Sequence, residues 1–203
     1  FVNSVSYEFT YFINWFIAFF LMLGISTFVG GLGHAFYFYW GTTGKIPGWI
    51  TAIFAVFFIE QAMISFVYNK TLQKIYKGLS LLKMLFVLGI FLRICLNSQV
   101  FEKPELGFLP IAINTILGTI LSAGILGVVF YRKHQAPFHY FSYGVLAMLP
   151  AAFVFLMKIN LHPWMDKNDV SHILLSIGNV FFYVGIIKVT PELSAKFNAE
   201  FEG

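Results

Sequence analysis

Six long apolar runs divide the chain: 11–38, 49–67, 79–96, 108–131, 141–160 and 169–189. Each approaches or exceeds the about 20 residues that a helix needs to cross the hydrocarbon of a bilayer, so the pattern predicts six spanning helices. The stretches between them carry turn residues and charge. Gly41, Gly44, Pro47 and Gly48 mark the first connection, and Lys70, Lys74 and Lys77 the second. Pro104 lies in the third, Arg132, Lys133 and Pro137 in the fourth, and His162, Pro163, Trp164 and Asp166 in the fifth. The expected fold is an all-α polytopic membrane helix bundle over residues 1–189, kinked at Pro150, with a charged tail over 190–203. Phe1 opens the sequence where a Met would be expected, and a further helix upstream would make seven.

Two helices carry patterns beyond plain hydropathy. In the first, Gly30-Gly31-Leu32-Gly33-His34 interrupts a run of Phe, Leu and Ile, and Gly24, Thr27, Gly31 and His34 recur on one face. In the last, His172, Ser176, Asn179 and Tyr183 recur at helical spacing. Small residues let spanning helices approach closely, and a polar stripe at membrane depth must face protein or water. The first and last helices are therefore expected to be neighbours, with Gly24, Gly30, Gly31, Ser176 and Asn179 as packing residues and His34 and His172 facing a common space. With six helices, His34, Asp169, His172, His162, Asp166, Arg93 and Asn160 fall at the same leaflet.

Composition supports the membrane reading. The chain is 59% hydrophobic and 11% charged, with 26 phenylalanines, against about 25% charged residues in a soluble domain. Lys70, Lys74, Lys77, Lys83, Arg132, Lys133, Lys188 and Lys196 fall on one side of the six-helix topology. Lys45, Arg93, Lys103, Lys158 and Lys167 fall on the other. This bias predicts that both termini of this chain are cytoplasmic. The single cysteine, Cys95, excludes an internal disulfide and a cysteine-based zinc cluster. The bilayer is the expected partner, together with other membrane subunits or a second copy; nothing suggests nucleic acid.

Candidate chemistry is sparse. Glu60 in the second helix must be protonated or paired at that depth; it is either a functional carboxyl or tied to Arg93 or to a polar group of the fourth helix. That helix offers Asn114, Gly118 and Ser122 on one face. His34, Asp169 and His172 are candidate metal ligands, with His162 as a further one, and Glu60 and Asp166 could move protons. Each also has a structural reading: interhelical hydrogen bonding for the histidines, the N-cap of the last helix for Asn168 or Asp169, and an interfacial loop for His162 beside Trp164.

Gly30-Gly31-Leu32-Gly33-His34 and Asn168-Asp169-Val170-Ser171-His172 resemble the Gly-Gly-x-x-His and Asn-Asp-x-x-His stretches of an uncharacterised group of multi-pass membrane proteins. His34 and His172 also resemble two of the zinc histidines of the alkaline ceramidase and adiponectin-receptor-like hydrolases. Gly30 and Asn168 stand where those enzymes have a serine and a histidine. The second resemblance implies a zinc-dependent hydrolase of a lipid amide or ester. Three readings follow: a non-catalytic subunit or scaffold of a membrane assembly, a zinc hydrolase, or a haem-binding or proton-conducting protein with non-covalent haem held by His34 and His172.

Overall fold

The computed structural model describes residues 2–97, 101, 103–134 and 137–199. Among them the architecture is all-α, with six stretches long and apolar enough to cross a membrane: Phe9–Ala35, Tyr37–Ile64, Lys70–Leu96, Leu106–Lys133, His139–Leu156 and Lys167–Val189. The six helices that hold these spans are α1 (Val2–Ala35), α2 (Ile46–Ile64), α3 (Lys70–Leu96), α4, α5 (His139–Leu156) and α6 (Lys167–Ala199). A helical turn, Tyr37–Trp40, and a 3-10 stretch, Gly41–Lys45, lead into α2. α4 runs from Pro104–Thr119 through a π-helical stretch, Ile120–Leu126, into Gly127–His134.

Helix ends move from the expected positions for local reasons. The basic connection 68–78 is largely helical, because the Asn69 side chain accepts hydrogen bonds from the Thr71 and Leu72 N–H groups at 3.0 Å and starts α3 at Lys70. The Gln73 amide then donates to the Ser65 carbonyl at 2.5 Å, fastening the α2–α3 turn. α5 stops at Leu156 rather than 160: Lys158 adopts a left-handed φ of +54°, and the Ile159 N–H returns to the Val154 carbonyl at 3.0 Å. α6 continues as a helix past its apolar span to Ala199, so the expected tail 190–203 begins as helix; residues 200–203 lie outside the described residues.

The chain forms two compact units, Tyr11–Gly118 and Phe1–Thr10 with Thr119–Gly203. In the first, Ile53, Met84, Phe91 and Ile111 make a core between α2, α3 and α4. α1 meets the segment that follows it through glycines. A Cβ on Gly33 would collide with the Gly44 carbonyl, and one on Gly48 would stand 3.1 Å from the Gly30 nitrogen. The Ser26 hydroxyl donates to the Gly48 carbonyl at 2.8 Å across the same contact. The chain reverses at Gly41, whose φ of +52° suits a residue without Cβ.

In the second unit α5 and α6 lie backbone to backbone. A Cβ on Gly144 would come 2.8 Å from the Gly178 carbonyl, and one on Gly178 would come 2.7 Å from that of Gly144. Phe182 and Phe141 fill the space beside them, with ring centroids 6.1 Å apart. The Ser142 hydroxyl donates to the Gly124 carbonyl, 2.9 Å away in the π-helical stretch, and joins α5 to α4.

Candidate functional site

The most polar buried cluster lies in the Tyr11–Gly118 unit. Glu60, one turn from the end of α2, is 6% exposed. Its Oε1 accepts a charge-assisted hydrogen bond from Lys83, and its Oε2 accepts one from the Ser80 hydroxyl at 2.5 Å. Ser80 and Lys83 stand three residues apart on α3 and so share a face. Gly118 of α4 closes the cluster: a Cβ there would be 2.7 Å from Glu60 Oε1 and 3.0 Å from Lys83 Nζ. The partner of Glu60 is thus Lys83, neither Arg93 nor a polar side chain of α4. A carboxylate at this depth is tolerable only with its charge matched and its oxygens hydrogen-bonded, and both conditions are met. One turn before Gly118, Asn114 is 3% exposed, and both its amide atoms are buried with no hydrogen-bond partner among the described residues.

The start of α6 gathers four of the expected site residues. Asp166, rather than Asn168 or Asp169, is the N-cap. Its Oδ1 accepts from the N–H groups of Asn168 at 2.7 Å and Asp169 at 3.1 Å. Asp169 returns the favour to the Asp166 N–H at 2.9 Å, a reciprocal capping box. Partial burial pushes the Asp166 carboxyl up. The N–H groups of Asp169 and Asn168 and the Asn168 amide outweigh this and hold it below the usual aspartate range. His162 sits in the preceding loop, where its Nδ1 accepts from the Trp164 N–H at 3.2 Å. His172 follows on the first turns of α6 and is exposed.

The two striped faces are directed outward. Along α1, Gly24, Thr27, Gly31 and His34 are all exposed, and a Cβ on Gly24 or Gly31 would meet nothing within 4 Å. Along α6, His172, Ser176 and Tyr183 are exposed. Ser176 donates within its own helix, to the His172 carbonyl at 2.8 Å. Asn179 is half-buried; its amide donates to the Leu175 carbonyl at 2.9 Å, and its Oδ1 is buried with no hydrogen-bond partner among the described residues. The face of α6 that packs on α5 is a different one: Ser171, Gly178, Phe182 and Gly185. Gly30 lies close to Gly48 within the Tyr11–Gly118 unit.

The sequence pattern counts Lys83 only among the cations of one membrane side and does not reveal its pairing with Glu60. The Ser80–Lys83 spacing on a spanning helix was the available signal. Among the described residues of either unit, no three His, Cys, Asp or Glu side chains gather closely enough to hold a metal ion. His34 belongs to the first unit, and Asp169 and His172 to the second.

No curated protein and no solved structure matches the chain, so the similarity to the ceramidase-like hydrolases gains nothing from these comparisons. The model of an uncharacterised family does match, over residues 3–191. This six-span membrane protein therefore belongs to the family of unknown function DUF6962.

Proposed function

We propose that the protein is a non-catalytic integral subunit or scaffold of a larger membrane assembly, and that the outward faces of α1 and α6 receive another polypeptide. The observation that carries this reading is the exposure of His172 and Ser176 on a helix whose span is largely apolar. An imidazole facing hydrocarbon is costly, and interhelical hydrogen bonds relieve that cost. The exposed Gly24, Thr27 and Gly31 on α1 offer a second smooth surface of the kind that spanning helices approach closely. The buried Glu60–Lys83–Ser80 cluster fits the same reading as an internal tie, since each of its charges has a partner within the unit.

The test is photo-crosslinking in native membranes. A photoreactive residue at Ser176 or His172 is expected to give adducts of protein mass, whereas the same residue at exposed, apolar Leu82 gives lipid adducts. Lipid adducts alone at all three positions would contradict the reading.

A further inference from the structure

Three side chains of the Tyr11–Gly118 unit have hydrogen-bonding capacity left over. Asn114 is 3% exposed, and its amide nitrogen and oxygen are both buried with no hydrogen-bond partner among the described residues. The Lys83 ammonium has three N–H donors, of which the bond to Glu60 Oε1 uses one. The Glu60 carboxylate accepts from Lys83 and Ser80 and, with about four lone-pair sites, has room for a further donor. All three residues lie inside membrane spans, and Lys83 is the midpoint of Lys70–Leu96. Hydrocarbon at that depth offers a polar group no partner.

Helix register brings them to one place. On α4, Ile111 packs with Ile53, Met84 and Phe91, and Gly118 stands against Glu60 and Lys83. Asn114 comes three residues after Ile111 and four before Gly118, and so shares their face. Its amide therefore enters the interface of α2, α3 and α4 one turn from the ion pair. Four residues of helix rise about 6 Å, and a water making two hydrogen bonds of about 2.8 Å spans nearly that distance. Buried waters typically join polar groups of this kind, with about two to four hydrogen bonds each.

We propose that Asn114, Lys83 and Glu60 form an internal binding site for ordered water within the membrane. Charge and size select this ligand. Lys83 already matches the charge of Glu60, so a further cation or anion would leave a net charge at membrane depth, which is costly. α4 lies so close to α2 that a Cβ on Gly118 would collide with Val56, and an organic molecule does not fit beside it. An amide with both atoms buried calls for a ligand that donates and accepts, as water does. The water joins α4 by hydrogen bonds to an ion pair that it otherwise meets through a glycine. The assignment depends on neither the orientation of the chain nor its assembly.

The experiment uses the full chain, labelled with nitrogen-15 and reconstituted in phosphatidylcholine bilayers. Solid-state NMR reads the magnetisation passed from water protons to the Asn114 side-chain nitrogen, with the backbone N–H of fully buried Phe91 as the dry reference. Asn114 is expected to receive several-fold more than Phe91, and the double variant Glu60→Leu, Lys83→Met to lose most of that excess. Transfer at Asn114 no greater than at Phe91 would overturn the site. Undiminished transfer in the double variant would remove Glu60 and Lys83 from it. Should that variant fail to fold, Asn114→Leu supplies the second readout. A hydrated amide predicts a lower SDS midpoint for Asn114→Leu, because the Lys83 donors lose the water with it. A higher midpoint, as when a bare buried amide gives way to an apolar side chain of similar volume, would contradict the proposal.

Discussion

In the Tyr11–Gly118 unit, α2, α3 and α4 meet over a carboxylate, an ammonium and a hydroxyl; in the other unit, α5 and α6 meet over two glycines whose backbones touch. Lipid is as apolar as a leucine side chain, so burial of apolar surface does little to hold spanning helices together. Close packing and polar contacts remain. The first unit relies on a polar tie inside an apolar core, and the second on the closeness that Gly144 and Gly178 permit. The two devices fail differently. A broken charge pair leaves a group with no acceptable surroundings, whereas a filled glycine contact pushes two helices apart. Neither device occupies the outward polar face of α6, which is where the proposed assembly forms.

Single substitutions separate these cases. The largest effect is expected from Lys83→Met, which strands the buried Glu60 carboxylate. Removing one member of a buried pair costs about 3–5 kcal/mol, and the value here falls toward the lower end because the Lys83 side chain is 28% exposed. The double variant Glu60→Leu, Lys83→Met should recover most of that loss in a denaturant or SDS titration of the purified protein. If the double variant is no more stable than Lys83→Met, the pair is not the tie described here.

Gly178→Leu comes next. It sets a branched side chain against the Gly144 carbonyl and Met148, and overpacking of this kind costs about 1–3 kcal/mol. A cysteine crosslinking rate between α5 and α6 should fall with it, while the Glu60 cluster in the other unit is untouched. Unchanged crosslinking would mean that the two helices do not depend on their glycine contact.

Asp166→Ala removes the N-cap of α6 and should cost about 0.5–2 kcal/mol. Because the folded Asp166 carboxyl is held low, its contribution is complete above its unfolded value of about 3.9 and is lost as pH falls through the still lower folded value. Unfolding profiles of the parent and of Asp166→Asn should therefore run parallel near neutrality and converge only below about pH 4. Convergence at pH 6 would assign the pH dependence to another group. The smallest effect on the isolated chain is expected from Gly31→Leu, within about 0.5 kcal/mol, as for other surface changes. The same variant should dissociate the assembly in native gels.

Six spans were legible in the sequence because hydropathy over about 20 residues is a strong signal. The ends were less so. Asn69 and Asp166 each start a helix earlier than the apolar run does, by side-chain capping that leaves hydropathy unchanged. Which face packs was not legible either. In α6 the packed residues Gly178, Phe182 and Gly185 are apolar and resemble lipid-facing positions, since a neighbouring helix and a lipid chain demand the same side chains. The polar stripe at His172, Ser176 and Asn179 was visible, but its direction was not. Glu60 announced itself as a carboxyl needing a partner. Lys83 did not, because a lysine five residues into an apolar run also suits a helix end whose long side chain reaches the surface.

The outward face of α6 is best tested by oxygen accessibility of a nitroxide at Ser176→Cys, in a Cys95→Ser background and in native membranes. The same label at Leu82→Cys serves as the lipid-exposed reference, Leu82 being 64% exposed. A covering polypeptide predicts that position 176 is several-fold less accessible than position 82 and becomes equally accessible once the purified chain is reconstituted alone. Accessibility as high at 176 as at 82 in the native membrane would contradict the assembly reading.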